Sequence, residues 1–139
     1  MAVYGYHSGP RTIIDLPVAN TAAIKQGDIL KIDGEAGYVT PAGAGDLPCG
    51  VAAAKCDQPT NDGDYTVPVY VGSETIFAYP ADTGTLTADL LWKTMDVGGS
   101  QSIDIDASTD DVVYVVGVDL KDDILFVKFD FSKGYTGVV

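Results

Sequence analysis

Apolar and polar residues alternate with a period of two along most of the chain, in runs of five to seven. Thr66-Val67-Pro68-Val69-Tyr70-Val71 sets its valines on one face, between Asp62-Gly63-Asp64 and Gly72. Residues 125–131 set Leu125, Val127, Phe129 and Phe131 against a face holding Lys128 and Asp130. Such alternation marks half-buried strands, because successive side chains point to opposite faces. Residues 24–43, IKQGDILKIDGEAGYVTPAG, share the grammar: Gly27-Asp28 opens one run and Asp33-Gly34 turns it into the next. Residues 112–118 are apolar throughout, as expected of a central strand covered on both faces. Pro68 offers no N–H to a ladder, so its strand is expected at a sheet edge or with a free side there.

Helical signals are confined to residues 81–92, ADTGTLTADLLW, where Gly84 and the threonines allow a single turn or a short helix. The alternative is a loop that drops Leu86, Leu90, Leu91 and Trp92 onto the core. A weak internal echo joins CGVAAAK (residues 49–55) to VGVDLK (residues 116–121), each a Gly-Val strand ahead of an acidic turn and an alternating strand. Sixteen glycines punctuate the strands at short spacing. The pattern predicts an all-β protein, a small β-barrel or sandwich with at most one or two short helices.

The first 20 residues break the pattern. MAVYGYHSGPRTIIDLPVAN intersperses Gly5, Gly9, Pro10 and Pro17 among Tyr4, Tyr6, His7, Ile13, Ile14 and Leu16. This predicts an extended arm over residues 1–20 that finds its order against something else, ahead of a single β-rich domain over residues 21–139.

Composition narrows the function. The chain has 139 residues, enough for one domain with a real core. Twenty acidic residues against eight basic ones leave a formal net charge of -12. The seven lysines are scattered and Arg11 is the only arginine, so neither nucleic acid nor an anionic membrane is an expected partner. The longest apolar run is too short to cross a bilayer. The N-terminus carries neither a basic segment nor an apolar one, so synthesis in the cytoplasm is expected.

Candidate chemistry is sparse. His7-Ser8 is the only His/Ser pairing, but it sits in the flexible-looking arm, where a triad has no rigid frame. Asp104, Asp106 and Ser108 occupy positions one, three and five of a calcium loop. Thr109 then stands where glycine is needed and Val115 where the bidentate glutamate is needed. Cys49 and Cys56 lack the further ligands a zinc site requires and are expected as free, half-buried thiols. Lys93-Thr94-Met95-Asp96 comes nearest to a lipoyl or biotinyl attachment site without its flanking residues. No phosphate-binding glycine motif is present. The expectation is a non-catalytic protein with no cofactor and no metal.

NTAAIKQGDILKIDG, then GDLPCGVAAAKC, then NDGDYTVPVYVGSE, resembles the small capsid decoration (cement) proteins of tailed bacteriophages over about residues 20–75. In that group a Gly-Asp-hydrophobic strand, a Gly-Val-Ala strand and a G-x-x-x-V-x-V strand recur in this order. The resemblance implies a β-rich knob, commonly a homotrimer, on the outer surface of the virion head. There it clamps neighbouring subunits of the major capsid protein. It also implies a capsid-binding arm, here Tyr4, Tyr6, His7, Arg11, Ile13 and Ile14. In that role Tyr4, Tyr6, Ile13 and Ile14 fill capsid pockets and Arg11 meets a capsid carboxylate. The alternative is a small-ligand or carbohydrate-binding β-sandwich using an aromatic platform. A third reading, a small enzyme with a carboxylate pair, requires a cleft holding two perturbed carboxyl groups.

Overall fold

A computed structural model describes residues 4–33 and 37–134. The alternating runs form eleven strands: β1 (Gly5–Ser8), β2 (Ile13–Pro17), β3 (Ile29–Asp33), β4 (Tyr38–Pro41), β5 (Gly50–Ala52) and β6 (Thr66–Tyr70), followed by β7 (Ile76–Tyr79), β8 (Thr94–Gly99), β9 (Ser102–Asp104), β10 (Val113–Asp119) and β11 (Ile124–Phe129). Two short 3-10 helices, Ala88–Leu90 and Phe131–Gly134, complete the regular structure. The strands make two antiparallel sheets, in the orders β1-β7-β11-β10-β8-β9 and β2-β6-β5-β3-β4. The all-β expectation holds, and of the two architectures it allowed the molecule adopts the open sandwich and not the closed barrel.

The alternation sorts side chains into two cores. The larger, between the sheets, gathers Phe77, Tyr79, Val113, Val115, Leu125, Val127, Phe129 and Phe131 with Ile29 and Val51. The smaller lies under the other face of the second sheet and holds Val18, Ile24, Leu30, Val39, Ala52, Val67 and Val69. Ile29 and Leu30 on β3 thus enter different cores, as do Val51 and Ala52 on β5. β3 and β5 are therefore buried on both faces, whereas residues 112–118 are not. The β10 strand is internal, between β11 and β8, but Tyr114 on its outer face is 37% exposed because no layer covers it. Its apolar run is interrupted by a bulge between Val115 and Gly117.

Three other expectations are resolved by the fold. Pro68 lies on β6, which is internal, flanked by β2 and β5, but has the free side expected at that position. It is tolerated because β5 ends at Ala52, so the side that its missing N–H would face has no ladder left; its carbonyl still accepts from the Ala53 N–H at 2.8 Å. In residues 81–92 a 3-10 turn does form, and Leu86 is buried, but Leu91 and Trp92 point outward, at 36% and 74% exposure. Finally, the segments expected in the arm include strands of both sheets. Residues 5–8 pair with β7 as an edge of one sheet, and residues 13–17 pair with β6 as an edge of the other.

The glycines and prolines that suggested a loose arm have specific duties here. Gly27 adopts φ +90°, and a Cβ on it would overlap the carbonyl oxygen of Tyr4, so only glycine lets the N-terminal strand pass. Gly9 and Pro10 carry the chain between the two sheets, where the buried Thr75 hydroxyl donates to the Pro10 carbonyl at 2.5 Å. The internal echo also has a physical basis. A Cβ on Gly50 would strike Val69 of its partner strand, and one on Gly117 would crowd Phe126 of its own.

Candidate interaction surface

The polar interior is committed to holding loops. Asp96, only 3% exposed, accepts the backbone N–H groups of Thr109, Asp110 and Asp111 at 3.1, 2.9 and 3.0 Å. Those donors belong to the stretch weighed as a calcium loop. The loop wraps a carboxylate instead of a cation, with the Asp104 carboxylate accepting the Asp106 N–H and Asp111 accepting the Thr94 and Ser108 hydroxyls. Among the described residues no group of three or more His, Cys, Asp or Glu side chains is arranged to hold a metal ion.

The Gly27-Asp28 pair is a second such anchor. The Asp28 carboxylate accepts the Lys25 N–H at 2.8 Å and the Gln101 side-chain amide at 2.9 Å. Tyr79 donates its hydroxyl to the Gly27 carbonyl at 2.5 Å. Gln101 lies in the β8–β9 turn, whose Ser100 carbonyl also accepts the Ile29 N–H at 2.6 Å, so this corner stitches the two sheets together. Burial, followed by the nearby Asp28 charge, raises the Tyr79 hydroxyl well above its ordinary pKa.

The thiols are free, as the sequence suggested. Cys49 is buried, and burial pushes it up to about 12. Cys56 is half-buried and raised by burial and then by Asp57. Neither has the depressed pKa of a nucleophile. Lys93 precedes β8, and the Met95 and Asp96 that follow it are buried, so the segment is no hairpin tip presenting a lysine.

The six residues expected in a capsid-binding arm separate into two groups. Tyr4 and Tyr6 pack against the larger core. The Tyr6 ring stacks on Tyr70 at 5.0 Å, and Tyr70 meets Phe77 edge-on at 5.9 Å. Arg11 lies over Tyr6, 4.7 Å from its centroid, and the same ring with its hydroxyl raises the guanidinium pKa. His7 is exposed, its ring 4.5 Å from Phe126 and its Nδ1 3.1 Å from the Ser8 hydroxyl. Among the described residues no carboxylate bonds to that imidazole, so the pair lacks the orienting group of a triad. Ile13 and Ile14, on edge strand β2, remain 43% and 46% exposed.

Trp92 was missed as a surface residue. Its φ of +69° lies in the left-handed region, which costs a bulky side chain about 1 kcal/mol or more. The conformation is held by the Trp92 N–H, which donates to the Val115 carbonyl at 2.9 Å, and by the Val115 N–H, which donates to Lys93. Trp92 and Lys93 together stand opposite Val115, just ahead of the pairing of Thr94 with Tyr114 between β8 and β10. Next to Trp92 opens a cleft of about 420 Å³ lined by Thr94, Ile105, Asp106 and Ser108. The strained backbone that turns this indole outward has no signature in hydrophobic periodicity.

The chain matches no family model, and comparison with curated proteins and with solved structures finds no significant similarity.

Proposed function

We propose that the protein is a non-catalytic capsid decoration protein that binds the outer surface of a phage head and stabilises contacts between major capsid protein subunits. The observation that carries this reading is Trp92: 74% exposed and set outward by a strained, hydrogen-bonded backbone. Large aromatic side chains presented in this way are typical anchors of protein–protein interfaces. Two further features support it. The buried carboxylates Asp28 and Asp96 are occupied with loop amides, which leaves them no part in acid–base chemistry. The sequence resemblance over residues 20–75 points to the same class. A decoration protein acts by mass action, since it binds the assembled shell better than its separated subunits and so favours assembly. Many copies on one shell also make a modest individual contact effective. The capsid-facing role is assigned here to the Trp92 face, because Tyr4 and Tyr6 of the six N-terminal residues pack against the larger core.

One observation favours a second reading. The cleft beside Trp92 combines an aromatic face with the Asp106 carboxylate and the Thr94 and Ser108 hydroxyls, a combination suited to a sugar ring. Co-sedimentation separates the two. Decoration predicts saturable binding to DNA-free heads of the virus that encodes the chain, weak binding to unassembled capsid protein, and no competition by mono- or oligosaccharides. Failure to bind heads, together with glycan binding that Trp92→Gly abolishes, would establish the second reading instead.

A further inference from the structure

The free side of β2 carries a self-complementary pattern. The Val71 N–H donates to the Thr12 carbonyl and the Val18 N–H to the Tyr65 carbonyl, both at 3.0 Å. In an antiparallel ladder bonded residues alternate, so Thr12, Ile14, Leu16 and Val18 direct their N–H and C=O groups toward β6. Arg11, Ile13 and Asp15 therefore direct theirs away from it. Beyond Pro17 this side is closed, because the Ala19 N–H bonds the Val39 carbonyl at 3.0 Å and Val18 bridges to Val39. Among the described residues the open window is thus residues 11–15, with Ile13, Ile14 and Asp15 all exposed.

We propose that this window pairs with the same window of a second copy, antiparallel about a two-fold axis at Ile13. In that register Ile13 faces Ile13, and Arg11 of each chain lies directly opposite Asp15 of the other. All three outward residues have an N–H, so six backbone hydrogen bonds can form, two at each of three bonded pairs. Sliding the strands by one bonded position in either direction parts both Arg–Asp pairs. One such slip also places Pro17, which has no N–H, opposite Arg11. Charge sharpens the choice: two bodies of net charge -12 repel, so association needs the local match of Arg11 and Asp15. The side-chain order agrees, because Arg11, Ile13 and Asp15 share the face that carries Tyr6 and Tyr70. An exposed apolar edge otherwise invites indiscriminate strand addition, and a paired edge removes that hazard. This two-fold contact is separate from the Trp92 face and does not depend on the proposed function. The three-fold association implied by the family resemblance does not use it.

Mass measurement of the purified full chain in solution, at about 100 µM and physiological ionic strength, tests the pairing. A dimer or another even-numbered assembly is expected, and a monomer or a trimer would overturn it. Asp15→Arg and Arg11→Asp each set like charges face to face and should weaken association roughly tenfold or more. The double variant restores both pairs in swapped order and should recover it, an outcome that rules out misfolding as the cause. In a Cys56→Ser background, Ile13→Cys should form an intermolecular disulfide, because bonded antiparallel partners stand about 5.5 Å apart at Cα. Equal cross-linking by Ile14→Cys, or single charge variants that dimerise normally, would also overturn the proposal.

Discussion

Asp96 shows how one side chain can set the conformation of a whole loop. Its carboxylate is buried and takes three consecutive N–H groups from residues 109–111, fixing the backbone of that loop. Asp96→Ala leaves those donors unsatisfied and should cost about 3 kcal/mol or more, read from urea unfolding. Asp96→Asn keeps one acceptor oxygen and should lose roughly half as much. Added calcium should leave the unfolding midpoint of the native chain unchanged.

Two other residues set a pH limit. Cys49 is held neutral by burial, its pKa raised from the ordinary thiol value near 9 to about 12, and Tyr79 is raised well above 10. The unfolded chain releases these protons at lower pH than the folded one. Their contribution is therefore complete below pH 9 and is lost as pH rises toward 12. The unfolding free energy should be flat from pH 7 to 8.5 and fall above 9. In Cys49→Ala the fall above pH 9 should be smaller, with Cys56 and Tyr79 left to titrate. Thiol titration at pH 8 should detect Cys56 alone in the folded chain, and both cysteines only in denaturant.

At the scale of elements, what could be read from the sequence followed from what periodicity encodes. Strands β3, β6 and β11 lie where alternation set them, since a period of two reports one buried face directly. Residues 112–118 were misjudged because an apolar run does not say how many layers cover it; the outer face of β10 has none. Gly50–Ala52 is buried on both faces but too short to announce it. The N-terminal strands were taken for an arm because Gly5, Gly9, Pro10 and Pro17 read as breakers. Their actual duty, allowing Tyr4 to pass Gly27 and the chain to change sheets, is a tertiary matter. Of the candidate site, Ile13 and Ile14 were legible as exposed apolar residues. Trp92 was not, because its outward position depends on a positive φ fixed by bonds to β10. Trp92→Gly relieves that backbone and should leave stability unchanged or raise it by about 1 kcal/mol, while head binding drops at least tenfold. A loss of stability comparable to a core truncation, several kcal/mol, would instead make Trp92 a structural residue.

For the molecule as a whole, stability and interaction occupy different places. Two cores share the second sheet, and the corner made by Gly27, Asp28, Tyr79 and Gln101 ties that sheet to the first. The Trp92 face and the β2 edge lie on the outside and carry exposed apolar residues, among them Trp92, Ile13 and Ile14. As a decoration protein, a body of net charge -12 would help keep particles dispersed. As proposed, this body reinforces a shell. Its first test is the temperature at which DNA-filled heads lacking the protein rupture, measured before and after saturation with it. A rise of several degrees is expected, lost with Trp92→Gly. Saturable binding with no change in rupture temperature would contradict it.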